Sequence, residues 1–219
     1  MVLKAYWPLD ETSGSTAYDA RNSNNGSLNG GVTQNVSGLF GSGAYSFDGT
    51  DDYVDAGSNS DIEPSTVSIS AWIKTSGGHG GTYPRYAGNN WSFAGYNIQP
   101  SSGSVAMEIG DGSSSNTLSA STGIEDGSWH QVTATYRGTD NSWAIYVDAV
   151  QENSGTSSYS LAYGGNPFII GANPSKSDGF ANADICNIRI YDHVLTEQEV
   201  SYLYSVGQRG LHTSDIRTL

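Results

Sequence analysis

The chain has 219 residues, only 14% of them charged, yet its formal net charge is −13. Nine Lys and Arg stand against 22 Asp and Glu, so the clustered cations that phosphate binding needs are missing and nucleic acid is excluded as a partner. Five Trp, fourteen Tyr and short alternating apolar runs exclude a disordered chain, and no apolar run is long enough for membrane insertion.

Sandwiches of roughly 200–250 residues are common as single domains, and no Pro-rich linker or charge block divides this chain. The expectation is one domain over residues 1–210, followed by a tail at 211–219 that is either a loose end or a docking arm. Asp outnumbers Glu fifteen to seven, and the only lysines are Lys4, Lys74 and Lys176. Three readings of that balance stay open: a surface adapted to high salt, carboxylates gathered at cation sites, or an ordinary acidic extracellular protein. Met1-Val2-Leu3-Lys4 reads as leading directly into the first strand, so the expectation is that this chain carries no signal peptide if Met1 is native.

Along the chain, Tyr45 and Phe47 precede an Asp48-Gly49 turn and Tyr53-Val54 follow it, so residues 43–57 read as a hairpin or a tight corner. Val67, Ile69, Ala71 and Ile73 alternate with Ser68, Ser70, Trp72 and Lys74, the pattern of a half-buried antiparallel strand. Residues 76–97 (SGGHGGTYPRYAGNNWSFAGYN) follow no strand period and read as a loop, with Tyr83, Tyr86, Trp91, Phe93 and Tyr96 set among glycines. Val132, Ala134 and Tyr136 form a further strand face, as do Ile145 and Val147, and Phe168 to Gly171 is a short buried strand. Residues 172–184 read as a second loop.

At Asp184 an alternating strand begins that carries Cys186, Ile188 and Ile190 on one side, so the single cysteine reads as a small buried hydrophobe. A turn and one helix follow. Thr196 and Glu199 have capping-box spacing, and Leu195 and Val200 have that of a hydrophobic staple. Val200, Leu203 and Tyr204 share a face, and Gly207 predicts a left-handed stop.

These segments resemble a family. The motifs are YWPLDETSG (6–14), NSNNGSLNGG (22–31), GLFGSGAYSFDGTDDYVDAG (38–57), VSISAWIKT (67–75), GSWHQVTATYRG (127–138) and IYVDAV (145–150), closed by the strand–turn–helix. In this order they are similar to laminin-G-like, concanavalin A-like jelly rolls, with a pentraxin-like closing segment. The resemblance implies an all-β fold of two antiparallel sheets in a jelly-roll sandwich with one short C-terminal helix.

Catalysis finds little support. A retaining glycosidase needs two carboxylates close together, usually on one strand, and Glu108 and Asp148 are isolated. No lyase set and no nucleophile elbow is present, and His130 follows Trp129 where the family often carries a structural His. The expectation is a non-enzyme. For calcium, the pentraxin-like resemblance places Asn89 and Asn90 near one ligand loop and Asn173 to Asp178 in the other, with Asn89 standing where a carboxylate is usual and Lys176 beside Asp178. Asp19, Asn22 and Asn24 form a second candidate, whose alternative is an Asx-turn cluster without metal.

Tyr83, Tyr86, Trp91 and Tyr96 form the candidate ligand surface, either stacking on sugar rings or anchoring a protein partner. The expected function is therefore a non-catalytic, lectin-like recognition module for cell-surface glycan. Its first alternative is a structural or assembly protein, such as a virion decoration or fibre component of a high-salt host, docking on other subunits. A glycoside hydrolase or polysaccharide lyase is the least supported. The expected setting is extracellular or the virion surface.

Overall fold

A computed structural model describes residues 2–21 and 23–209. The tail expected at 211–219 and Asn22 lie outside the described residues. Sixteen strands are formed: β1 (Leu3–Trp7), β2 (Thr16–Ala17), β3 (Gly26–Asn29), β4 (Thr33–Ser37), β5 (Gly43–Asp48), β6 (Tyr53–Asp55), β7 (Val67–Lys74), β8 (Ala87–Gly88), β9 (Ala94–Ser101), β10 (Ser104–Asp111), β11 (Ser115–Ser119), β12 (Trp129–Tyr136), β13 (Ser142–Val147), β14 (Val150–Thr156), β15 (Ile169–Ile170) and β16 (Asn182–Tyr191). Among the described residues one α-helix, α1 (Glu197–Gly207), follows.

The strands make two antiparallel sheets of eight, the expected jelly-roll sandwich. The first runs β14-β13-β12-β7-β16-β5-β4, with β1 also on β16; the second runs β11-β10-β9-β8-β15-β6-β3-β2. Residues 43–57 are a corner rather than a hairpin, because β5 and β6 belong to different sheets. The core between the sheets takes the alternating residues read from sequence, including Val67, Ile69, Ile73, Val132, Ala134, Tyr136 and Ile145, together with Phe168 and Ile170 of the short buried segment 168–171.

Three local expectations are corrected. Strand β7 is buried on both faces, with only Lys74 partly exposed, because α1 covers its outer side. Leu195 N donates to Ser68 Oγ at 3.0 Å, and Tyr204 stacks on Trp72 at 5.5 Å. Cys186 does not share a side with Ile188 and Ile190. Asn187 adopts φ +56° at a break in the register between Cys186 and Arg189, and this bulge reverses the alternation. Cys186 therefore packs on Trp72, Leu39 and Ala44 outside the core that holds Ile188 and Ile190, and burial pushes its thiol pKa up to about 12.

The helix starts as expected. Thr196 accepts from Glu199 N at 3.3 Å, and Glu199 accepts from Thr196 N at 2.7 Å, which closes the capping box. It ends differently: Gly207 lies within the helix, and Gln208 caps it in the ordinary right-handed region.

Candidate functional site

The aromatic segment 76–97 divides into two classes. Tyr83 is 68% exposed, Phe93 51% and Trp91 40%, whereas Tyr86 and Tyr96 are fully buried. The burial of these two has a local cause. Tyr96 lies on β9 with its ring against Tyr163 and Phe168, and its hydroxyl donates to Ile62 O at 3.0 Å. Tyr86 packs edge-on to His79, with its hydroxyl 3.3 Å from His79 Nε2. Both are core residues, so neither presents a face to a ligand. Sequence reading missed this because β8 is only two residues long and β9 is interrupted by Gly, Asn, Gln and Pro.

Trp91 and Phe93 sit on a hairpin tip that sequence reading did not resolve as a turn. Trp91 and Ala94 exchange backbone hydrogen bonds of 3.1 and 3.2 Å. Between them, Ser92 (φ +53°) and Phe93 (φ +66°) both take the left-handed conformation, which a bulky residue adopts only when its surroundings impose it. Gly112 N donates to Phe93 O at 2.7 Å, and Asn166 Nδ2 donates to Trp91 O at 3.2 Å, so the tip is tied down. Tyr83 is likewise left-handed at φ +57°. A two-residue hairpin loop takes positive φ at both central positions, so the turn itself accounts for the Ser92 and Phe93 backbone.

Tyr83 rests on a buried polar group. Arg85 Nη1 donates to Tyr83 O at 3.2 Å, its guanidinium lies 5.9 Å from the Tyr83 ring centre, and its Nη2 lies 2.8 Å from Glu108 Oε2. Glu108 also accepts from Asn97 and Ser115.

The residues singled out for metal hold turns. Asn89 Oδ1 accepts from Tyr96 N at 3.1 Å, Asn90 Nδ2 donates to Gly95 O at 3.2 Å, and Asn173 Oδ1 accepts from Ser175 N at 3.0 Å. Asp178 Oδ1 accepts from Thr82 N at 2.8 Å, and backbone N–H groups of Thr82 and Gly179 hold its pKa below the usual value. These residues therefore share one carboxylate. Lys176 turns away from Asp178 to Asp55, 3.0 Å away. Asp19 is buried, and its two oxygens take Tyr6 N, Arg21 N, Asn24 N and Asn24 Nδ2. Among the described residues these four donors match the lone-pair directions of a carboxylate, the pattern of an Asx cluster. Among the described residues, three carboxylates converge elsewhere, at Asp48, Asp51 and Asp52, with ligand atoms within 4.8 Å. Burial raises the Asp52 pKa, while its Oδ2 accepts from Asp48 N.

The two isolated acids read from sequence are each engaged: Glu108 with Arg85, and Asp148 with His130 at 2.7 Å. Among the described residues, no helix is long and apolar enough to cross a membrane.

Comparison with known proteins places the fold. The chain is 31% identical over 90 residues to the rat (Rattus norvegicus) protein "Sushi, von Willebrand factor type A, EGF and pentraxin domain-containing protein 1" and 30% to its mouse (Mus musculus) counterpart; the match takes in 37% of this chain and 2% of each of those proteins. Among solved structures, the binding domain of Paraclostridial Mosquitocidal Protein 1 superposes with a TM-score of 0.72 at 18% identity, covering 92% of this chain and 51% of that one. Domain 4 of AbnA, a GH43 extracellular arabinanase from Geobacillus stearothermophilus, in complex with arabinotriose, also gives 0.72, at 19% identity over 92% and 98%. The binding domain of botulinum neurotoxin DC in complex with rat synaptotagmin II gives 0.70, at 16% over 94% and 52%. At these identities the likeness is one of fold. The sequence profile of the Laminin G 3 family matches residues 48–201, most of the sandwich, and the chain belongs to this concanavalin A-like lectin/glucanases superfamily.

Proposed function

We propose that the chain is a non-catalytic recognition module for a cell-surface glycan, working at an extracellular or virion surface. The observation that carries this reading is the display of Tyr83 and Trp91, with Phe93, as exposed aromatics fixed on left-handed or tightly bonded backbone. Flat aromatic faces flanked by Asn, Ser and backbone groups suit sugar rings, which offer an apolar face and a rim of hydroxyls. Two of the solved relatives point the same way: the AbnA domain is described in complex with arabinotriose, and one neurotoxin structure is described by its dependence on two ganglioside molecules. The engagement of Glu108 and Asp148 by basic partners supports binding over hydrolysis.

A second reading rests on Phe93. Two large apolar rings on one hairpin tip also suit a protein partner, as in a virion decoration or fibre protein that assembles with other subunits; a high-salt host would account for the −13 charge. Glycan-array binding by the whole chain, compared with that of Trp91→Ala, tests both. Specific sugar binding supports the lectin reading. A silent array, together with a Trp91→Ala chain that folds but no longer assembles, overturns it in favour of the structural protein.

A further inference from the structure

The outer face of β9, β10 and β11 carries a polar floor that the sandwich does not need. Strand register aligns Gln99, Ala106 and Ser119 in one row, Asn97, Glu108 and Thr117 in the next, and Gly95, Gly110 and Ser115 in a third. The intervening Tyr96, Ile98, Val105, Met107, Ile109 and Leu118 fill the core, so these rows face outward. An outer face in water ordinarily carries exposed polar residues. Here Asn97 is fully buried, and Arg85 and Glu108 form an ion pair whose side chains are only 8% and 13% exposed. Such a pair is a poor source of stability, because desolvation of both charges offsets their attraction.

Its geometry suggests another use. Glu108 is fixed from three sides, by Arg85 Nη2 at 2.8 Å, Asn97 Nδ2 at 3.1 Å and Ser115 Oγ at 2.7 Å. Arg85, so anchored, donates to the carbonyls of Tyr83 and Pro84 at 3.2 and 3.3 Å and lies at cation–π distance from the Tyr83 ring. Asp178 holds Thr82 N on the other side. Arg85 Nε, Asn97 Oδ1 and Gln99 Oε1 are buried without a protein partner, so the group is more polar than its own bonding requires. The far end of the floor is closed by the hairpin tip, where Phe93 O would lie 1.9 Å from any Cβ at Gly110.

Building on the glycan reading, we propose that this trough is a subsite for a neutral oligosaccharide. Tyr83 is its stacking platform, Ser115, Thr117 and the free edge of Glu108 offer hydrogen bonds, and Arg85 is a positioning residue that acts through Tyr83. A ring fixed before binding loses little freedom on binding. Neutrality follows from charge: the guanidinium is paired with Glu108, Asp111 ends the same strand as Glu108, Asp178 holds the amide of Thr82 next to Tyr83, and the chain carries −13 overall. A sialylated, uronic or sulfated sugar would meet like charge there.

The test is an amide-shift titration of the ¹⁵N-labelled full chain with arabinotriose, xylotriose, cellotriose and 3′-sialyllactose, repeated on Tyr83→Ala, Tyr83→Phe, Arg85→Gln and Trp91→Ala. The expected result is that a neutral trisaccharide shifts the amides of Tyr83, Glu108, Ser115 and Thr117. Tyr83→Ala weakens it at least tenfold and Tyr83→Phe does not, while Arg85→Gln weakens the wild type but adds nothing to Tyr83→Ala. The wild-type shift map needs no variant, so a misfolded Arg85→Gln leaves the proposal testable. Shifts confined to residues 91–94, with Tyr83→Ala binding normally, overturn the trough and keep the glycan reading. Tighter binding of sialyllactose overturns neutrality alone. No shift with any sugar, beside a silent glycan array, overturns the glycan reading and the trough with it.

Discussion

Gly207 lies so close to the indole of Trp72 that a Cβ there would stand 2.4 Å from Nε1 and 2.5 Å from Cε2 and Cζ2. The helix can lie flat on the outer face of β7 only because this position has no side chain. Tyr204, one turn earlier, then stacks on the same indole at 15°.

Helix propensity alone would favour alanine at Gly207 by about 1 kcal/mol. Overpacking costs about 1–3 kcal/mol, and a Cβ this close to a rigid ring belongs to the upper part of that range, about 2–3 kcal/mol, so that term wins. Gly207→Ala is expected to lower stability by about 1–2 kcal/mol, a fall in Tm of roughly 2–8 °C for a chain of this size. Calorimetry that shows an unchanged or higher Tm would mean that the helix does not press on Trp72.

Much of the fold was legible because its signals are local. Period-two alternation marks the core faces of β7, β12 and β13, and Thr196 with Glu199 marks the helix start. What was not legible depends on tertiary contact. No local pattern tells that Ser68 and Trp72 are covered by a helix more than 120 residues away, or that a single bulge at Asn187 turns Cys186 outward from the core. In the candidate site, Gly-rich composition pointed to segment 76–97. Burial of Tyr86 and Tyr96, against display of Tyr83, Trp91 and Phe93, depends on how β8 and β9 join the second sheet. The Arg85–Glu108 pair spans 23 residues and three strands, and its two members carry no shared motif.

His130 gives the fold a pH dependence near neutrality. Burial pulls its pKa down, but Asp148 at Nδ1 (2.7 Å) and Asp126 at Nε2 (3.2 Å) outweigh it, and the net shift is upward from the ordinary ~6.5. A folded-state pKa above the unfolded one stabilises the fold fully below the unfolded pKa. That contribution disappears as pH rises through the folded value. The stability difference between wild type and His130→Gln, from urea unfolding, is expected to be largest near pH 6 and to shrink towards pH 8.5. A difference that is constant across this range would show that the imidazolium is not held by its two acids.

Asp19 separates turn chemistry from the calcium expected on sequence grounds. Its oxygens gather N–H groups from Tyr6, Arg21 and Asn24 at 2.8–3.2 Å, and Asn24 O in turn accepts from Trp7 Nε1 at 2.7 Å. The carboxylate thereby joins β1 to the turn before β3 and helps to fix a tryptophan of the core. Asp19→Ala leaves buried donors without acceptors, each costing about 1–3 kcal/mol, so an overall loss of about 2–4 kcal/mol is expected. Because the acceptor is what matters, the loss should be the same in millimolar calcium and in excess chelator. Calcium that binds only the folded chain would instead raise the wild-type Tm by mass action, and Asp19→Ala would abolish that rise. Thermal melts of both chains in the two buffers decide: equal losses support the four-donor turn, and a loss seen only with calcium places a cation at Asp19.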